Sequence, residues 1–144
     1  MIYGIGTDLI NSKRVEKLLN KFGEKFLFKV FSRKEIDNSK KSYNKALYFS
    51  KRFAGKEAFW KAVSPNKENT LHFNEIEILS NESGKPYVNL IGRTKNRVSD
   101  LEKTLNCKFK IEVPDDTFKL VVREFTNYDG YVNFYQYESM KLKP

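Results

Sequence analysis

Residues 53–62 read Phe-Ala-Gly-Lys-Glu-Ala-Phe-Trp-Lys-Ala and lie inside a segment that predicts one helix from about 46 to 63. Apolar side chains surround most of this helix, which is typical of a buried helix. Glu57 and Lys61 nevertheless fall one turn apart on one side, in line with Ser50 and Ala54. Because a buried carboxylate is costly without a compensating cation or donor, Glu57 is expected to face a charged group. The alternative is an ordinary Glu–Lys pair at a wet edge, worth about 0.2–0.5 kcal/mol.

Composition indicates one compact domain and limits the chemistry. The chain has 144 residues, of which 40% are hydrophobic and 15% aromatic, so global disorder is not expected. It has no apolar run long enough for a membrane span and no signal-peptide layout at its N-terminus. The single cysteine, Cys107, forms no intramolecular disulfide and agrees with a reducing cytoplasm. With one Cys and one His (His72), a Cys/His zinc site is excluded, and any metal must have oxygen ligands, as Mg²⁺, Mn²⁺ and Ca²⁺ do.

The net charge is strongly positive. There are 27 Lys and Arg residues against 18 Asp and Glu, a formal charge of +9. This excess favours an anionic partner, which could be nucleic acid, a phosphorylated small molecule or an acidic protein. Charge alone does not choose among them.

The N-terminal segment predicts a strand with one open face. Residues 2–9 alternate so that Gly4, Gly6 and Asp8 point the same way. Two glycines inside a strand indicate close approach by another backbone or by a ligand. Asp8 lies at the end of that face, where it could also simply begin a turn.

A first helix is predicted from a cap at Asn11 or Ser12 to about residue 28. Basic residues follow one another along it at spacings of three and four. Such a row is either a solvated face or the docking surface for an acidic partner. Its members are Arg14, Lys17, Lys21 and Lys25.

The middle of the chain predicts a capped short helix and a hairpin. Ser32 and Glu35 have the spacing of a capping box that opens a helix near residue 33. Residues 73–79 and 86–91 predict two strands joined by a turn.

The last third of the chain predicts a helix, a second hairpin and a tail. The helix covers residues 93–105, and the hairpin has strands at 107–113 and 118–125. The tail, 126–144, has no clear period and is expected to be an extra strand or an arm on a neighbouring subunit. The fold class is therefore α+β, with a mostly antiparallel sheet packed by helices in a domain of residues 1–125 and an extension of residues 126–144.

Three segments together resemble one enzyme family. They are Gly4-Ile-Gly-Thr-Asp8, the block Phe53-Ala-Gly-Lys-Glu-Ala-Phe-Trp-Lys-Ala62, and Gly84-Lys85-Pro86, with Arg14 placed soon after the aspartate. Their identity, order and spacing resemble the holo-(acyl-carrier-protein) synthase family of 4′-phosphopantetheinyl transferases. The resemblance covers about residues 1–125, and the 53–62 block is its most specific part.

The resemblance implies a magnesium-dependent cytoplasmic transferase of lipid and fatty acid biosynthesis. It would move the phosphopantetheine arm of coenzyme A to a serine of apo acyl carrier protein and release adenosine 3′,5′-bisphosphate. In the family, the carboxylates that match Asp8 and Glu57 hold the metal. Members are typically trimers, with coenzyme A between neighbouring subunits, so a homotrimer is expected. The resemblance gives no reason to expect nucleic acid or a membrane as a partner.

The residue types fit phosphoryl transfer. Two carboxylates and substrate phosphates suffice for Mg²⁺, which keeps several waters. Lys61 is the candidate for stabilising the leaving phosphate, while Arg52 and Lys85, with Gly84 and Pro86 beside it, are candidates for contacts with coenzyme A. The serine proton needs a base, for which Asp8, Glu57 and a metal-bound hydroxide are all open.

Carrier proteins of this kind are small and acidic, which gives the basic row a second rationale. Only Arg14 matches the family pattern; the roles of Lys17, Lys21 and Lys25 follow from helical spacing.

One position departs from the family pattern. Where the family commonly has Ser-x-Ser-His in the penultimate strand, this chain has Lys110-Ile-Glu-Val113. The 3′-phosphate would then be held differently, for instance by Lys110 or by lysines of another subunit. This departure leaves open an inactive, coenzyme A-binding relative of the family. The charge of +9 and the aromatic residues of the tail leave open a second alternative, a basic module that binds nucleic acid.

Overall fold

The computed structural model describes residues 2–63, 71–111, 119–124 and 131–136. Helices and strands follow one another in mixed order, as the sequence predicts for an α+β fold. The helices are α1 (Ser12–Phe22), α2 (Glu24–Val30), α3 (Arg33–Ser39), α4 (Lys45–Val63) and α5 (Gly92–Leu105). The strands are β1 (Ile2–Thr7), β2 (Ile76–Ser80), β3 (Pro86–Leu90), β4 (Lys108–Ile111), β5 (Lys119–Glu124) and β6 (Tyr131–Gln136).

The strands form two sheets. A four-stranded sheet has the order β1-β5-β6-β4, and β2 and β3 form a separate two-stranded hairpin. Among the strands of the described residues, each pair is antiparallel except β4 with β6. The mostly antiparallel prediction is confirmed.

The second predicted hairpin is wrong. Residues 107–113 and 118–125 were expected to pair, but β6 lies between β4 and β5 and pairs with both of them. The pairing of β4 with β6 is parallel, which a short turn cannot produce. The tail thus supplies an extra strand, one of the two forms expected for it. The turn predicted at 114–117 and the departure at Val113 lie outside the described residues.

The first predicted helix is also interrupted. Gly23, with φ of +51°, ends α1 by donating its N–H to the Leu19 carbonyl, and α2 begins at the next residue. A backbone in this left-handed region breaks the helical repeat, which glycine allows at little cost. Lys25 therefore lies in α2, and the row of four basic residues does not run along one continuous helix.

Helix α4 is the centre of the fold. One half packs with β2 and α5 around Phe59, Val63, Ile76 and Val98, and the other packs with α1 and α2 around Phe49 and its neighbours. Its burial follows from apolar residues on nearly all sides. Burying aromatic and aliphatic side chains of this size gives roughly 1.5–3 kcal/mol each, so α4 holds the other elements in place.

Candidate active site at the end of β1

Strand β1 lies directly on α4. A Cβ atom built on Gly4 would overlap the Ala62 carbonyl oxygen, and one built on Gly6 would overlap the Ala58 carbonyl oxygen. The close approach predicted for the two glycines is made by the helix backbone itself. Only glycine permits this distance, because any side chain would push the strand away.

This packing brings Asp8 beside Lys61, although 53 residues separate them along the chain. Lys61 Nζ lies 3.1 Å from Asp8 Oδ1 and donates a second hydrogen bond of 3.1 Å to the Thr7 carbonyl. The Asp8 side chain is 18% exposed and that of Lys61 46%. The pair thus lies at the rim of the protein, open on one side to a solute.

Glu57 belongs to the same group of charges. Partial burial raises the pKa of its carboxyl, the nearby Asp8 carboxylate raises it further, and Lys61 opposes both. A repulsion between two carboxylates that a single lysine does not cancel favours binding of a further cation. Asp8, Glu57 and Lys61 are the predicted site residues that the structure brings together.

The donor set fits Mg²⁺ better than a metal that needs many protein ligands. Within the described ranges, no group of three or more His, Cys, Asp or Glu side chains is placed to hold a metal ion. Two carboxylates at a half-open rim leave room for waters and for substrate phosphates. Magnesium is commonly bound in this way, through one or two carboxylates and phosphate oxygens.

Arg52 lies elsewhere. Its guanidinium stacks over the Tyr48 ring, 3.4 Å from the centroid, and Nη1 donates to the Tyr48 carbonyl at 3.3 Å. Burial lowers the pKa of Arg52, and Tyr48 and Glu35 oppose that effect. Five residues along a helix correspond to about 140° of rotation, so Arg52 and Glu57 occupy different sides of α4. The structure does not join it to the Asp8 group.

The turn of the β2–β3 hairpin carries the other candidates for cofactor contacts. Gly84 has φ of +82°, and a Cβ atom built on it would meet no atom beyond its chain neighbours within 4 Å. Asn81 closes the turn: its side-chain oxygen accepts from Lys85 N at 2.9 Å, and its own N–H donates to the Lys85 carbonyl. Lys85 is exposed, and the backbone around it is held by these two hydrogen bonds with Asn81.

The four basic residues of the row are all exposed. Arg14, Lys17 and Lys21 lie in α1 and Lys25 in α2. Lys21 Nζ lies 5.2 Å from the centroid of the half-exposed Phe22 ring. Cations and an apolar ring therefore share this surface.

Sequence reasoning missed a buried ion pair on another side of α4. Lys56 Nζ lies 2.7 Å from Glu35 Oε2, and both side chains are fully buried. Glu35 was interpreted only as part of a capping box, which it does form with Ser32. A lysine in a helix that is apolar on most sides could have been recognised as needing a buried partner.

Comparisons with known proteins agree with this fold. The model of the 4′-phosphopantetheinyl transferase superfamily matches residues 4–113. The chain is 50% identical over 92 residues to a holo-(acyl-carrier-protein) synthase of Wolbachia pipientis, which covers 61% of this chain and 73% of the relative. A crystal structure of a holo-(acyl-carrier-protein) synthase from Neisseria meningitidis superposes with a TM-score of 0.65 at 30% identity, over 84% of this chain and 94% of that one.

A third comparison includes a bound ligand. The holo-(acyl-carrier-protein) synthase from Bacillus anthracis in complex with CoA (3′,5′-ADP) superposes with a TM-score of 0.55 at 33% identity, over 64% of this chain and 78% of that one. The chain therefore belongs to the 4′-phosphopantetheinyl transferase superfamily. Within it, the chain is an enzyme of the holo-(acyl-carrier-protein) synthase family.

Proposed function

We propose that this enzyme transfers the 4′-phosphopantetheine group of coenzyme A to a serine hydroxyl of apo acyl carrier protein, with Mg²⁺, and releases adenosine 3′,5′-bisphosphate. The observation that carries the proposal is the grouping of Asp8, Glu57 and Lys61 by the contact of β1 with α4. Two carboxylates and one cation at a half-open rim suit a diphosphate substrate. Asp8 and Glu57 would hold the metal, whose charge would stabilise the phosphate oxygens as they react.

The reaction forms one bond and breaks one. The serine oxygen attacks the phosphorus on the pantetheine side of the diphosphate, and the bond to the bridging oxygen breaks, so that adenosine 3′,5′-bisphosphate leaves with the electron pair. Lys61 would stabilise the charge on the leaving phosphate. The serine proton passes to a carboxylate of the site, either Asp8 or Glu57.

We place coenzyme A against Lys61 and the hairpin turn at Gly84, Lys85 and Pro86. Lys85 is exposed and the turn is open at Gly84, so phosphate oxygens have access to both a cation and a backbone free of side chain. Arg52 lies on another side of α4, and it contributes to a phosphate contact only through a neighbouring subunit.

The carrier protein would dock on the basic surface of Arg14, Lys17, Lys21 and Lys25. Exposed cations beside the Phe22 ring suit an acidic helix with an apolar edge. Attraction between such surfaces raises the association rate and weakens as salt increases.

We further propose a cytoplasmic homotrimer. Ile5 of β1 is 50% exposed, although the opposite face of this strand is buried against α4, and Leu9, two residues beyond the strand, is 93% exposed. Exposed apolar side chains of this kind suit contact with another copy of the chain. Light scattering during gel filtration should give about three times the chain mass of 17.0 kDa, and Ile5→Lys should reduce it to the mass of one chain.

The mass of a carrier protein tests the proposed reaction directly. Apo carrier, coenzyme A, Mg²⁺ and the enzyme should give a carrier heavier by one phosphopantetheine group, and a chelator should prevent the change. Binding of coenzyme A without any change in carrier mass would instead indicate an inactive relative. Tight, salt-sensitive binding of single-stranded nucleic acid that needs no Mg²⁺, without transfer, would favour the nucleic-acid alternative.

No helix in the described part of the chain is both long enough and apolar enough to cross a lipid bilayer.

A further inference from the structure

A network of buried charges lies on the side of α4 away from the Asp8 group. Its centre is the Lys56–Glu35 pair, at 2.7 Å and with neither side chain exposed. Lys56 Nζ also donates to the carbonyls of Phe73, at 2.8 Å, and Ile76. Three acceptors satisfy the three protons of the ammonium, so the position of the Lys56 side chain is fixed.

The carboxylate of Glu35 connects three elements. Oε2 accepts the backbone N–H of Ser32 at the start of α3 and the ammonium of Lys56 in α4. Oε1 accepts the backbone N–H of Ile78 in β2, at 2.8 Å. A short helix, the central helix and the hairpin are therefore held by one side chain.

A second carboxylate extends the network across the hairpin. Glu77 is buried, and its Oε2 accepts from the Ser32 hydroxyl at 2.6 Å, while its Oε1 accepts from Asn89 Nδ2 at 2.8 Å. Glu77 and Asn89 face each other across β2 and β3. Both strands of the hairpin are thus fixed near the point where β2 meets α4 at Gly55.

The network lies between two parts of the proposed site. Lys56 is the neighbour of Glu57, and Ile78 is two residues from Ser80, which pairs with Pro86 beside the turn. Two residues of strand span about 7 Å, so the turn lies close to the network. A change in the orientation of β2 on α4 would therefore move Lys85 relative to Glu57. A hairpin of two strands has little stability of its own and takes its orientation from such contacts.

From this geometry we infer that Glu35 and Lys56 are positioning residues, which set the hairpin turn at Gly84–Pro86 relative to Glu57 and thereby the affinity for coenzyme A. The inference rests on the proposed function, because it takes the hairpin turn as a contact of coenzyme A. Neither residue needs to touch the substrate. A buried ion pair that only stabilised the fold could be replaced by apolar groups without loss of affinity.

Calorimetric titration of coenzyme A and hydrogen exchange of the hairpin amides, both on the full chain well below its melting temperature, test the inference. Lys56→Met is expected to raise the Kd for coenzyme A about tenfold and to speed amide exchange at Lys85, Tyr87 and Val88, with the KM for carrier protein unchanged. Lys51→Met removes the same charge from an exposed position of α4 and is the matched control, expected to leave both readouts unchanged.

Two further variants separate positioning from simple loss of stability. Glu35→Gln with Lys56→Met removes both charges; it should recover part of the melting temperature while the Kd for coenzyme A stays raised. Glu77→Gln leaves the Lys56–Glu35 pair intact and should raise the Kd about threefold even if Lys56→Met does not fold.

An unchanged Kd in any folded Lys56 or Glu77 variant would overturn the inference. The proposed function would survive that result as long as the wild-type enzyme still increases the mass of the carrier. Absence of transfer by the wild-type enzyme would instead reject the proposed function, so the two failures are distinguishable.

Discussion

Gly6 of β1 lies so close to Ala58 of α4 that a Cβ atom on the glycine would overlap the alanine carbonyl oxygen. Gly4 stands in the same relation to Ala62, one turn further along the helix. The atoms that would be displaced are helix backbone, which cannot move aside as a flexible side chain can. This contact determines that Asp8 reaches the side of Glu57 and Lys61.

Gly6→Ala should therefore separate β1 from α4. We expect a loss of about 3 kcal/mol or more in the free energy of unfolding, since overpacking against backbone is at the upper end of its usual cost. Urea denaturation of wild type and variant measures this change in the free energy of unfolding. Gly55→Ala is the matched control: the atoms nearest to its Cβ would be side-chain atoms of Ile78, at 3.3 Å, and alanine favours the helix. Equal stability of the two variants would contradict the packing described here.

Glu57→Gln should reduce transfer to the carrier by at least about 100-fold, because it removes a proposed metal ligand and base candidate. The affinity for Mg²⁺, measured by calorimetry without substrate, should fall in parallel. Asp100→Asn removes an exposed carboxylate of α5 and should change neither quantity. Full activity of Glu57→Gln would reject the assigned site.

The buried Lys56 ammonium should titrate within an accessible pH range. Burial lowers the pKa of Lys56 from 10.5 to about 8, against the attraction of Glu35. Between these two values the unfolded chain binds more protons than the folded chain, so Lys56 makes the free energy of unfolding rise with pH from about 8 to 10.5. The ¹³Cε resonance of Lys56 should show a midpoint near 8, and Lys56→Met should remove that part of the pH dependence of stability.

Glu75 should stabilise the start of α5. Its Oε2 accepts from Thr94 N at 2.8 Å and Thr94 Oγ1 at 2.7 Å, and Oε1 accepts from Arg93 N at 3.3 Å. Glu75→Ala should lower the free energy of unfolding by about 1 kcal/mol, as loss of a helix cap usually does.

The contribution of Glu75 to the free energy of unfolding should depend on pH. Burial opposes ionisation of this carboxyl, but the hydrogen bonds from Thr94 and Arg93 outweigh it and lower its pKa below 4.5. The stabilisation is therefore present at neutral pH and lost as the pH falls through the lowered folded-state pKa. Melting curves of wild type and Glu75→Ala should converge under acid conditions, and a constant difference would contradict this account.

Lys17→Ala combined with Lys21→Ala should raise the KM for carrier protein about tenfold and leave the KM for coenzyme A unchanged. Both lysines are exposed on α1, where they would attract an acidic partner. The wild-type KM should increase with salt, and the double variant should respond less. Lys95→Ala, at an exposed position of α5, serves as the control, and an equal effect there would show that only total charge matters.

The sequence predicted local features well, because each depends on residues close together along the chain. The capping box of Ser32 and Glu35, the span of α4 and the β2–β3 hairpin all agree with the structure. Through the resemblance of three separated segments to one family, it also predicted Asp8 and Glu57 as metal ligands, and the structure places these two carboxylates in one group of charges. A glycine at position 23 is a signal for a helix break. The prediction of one continuous helix arose because the apolar and basic residues have helical spacing on both sides of Gly23.

By itself, then, the sequence determined the family and the helices α3, α4 and α5, and it predicted two carboxylates as a metal site, since periodicity and motif spacing are properties of the chain alone. Only the tertiary structure decided that β6 enters between β4 and β5, that Arg52 turns away from Glu57, and that Glu35 binds Lys56. These are contacts between residues far apart in sequence. Which of several possible strand partners or counter-ions is chosen depends on how the whole chain packs, and the strand and helix patterns are compatible with more than one choice.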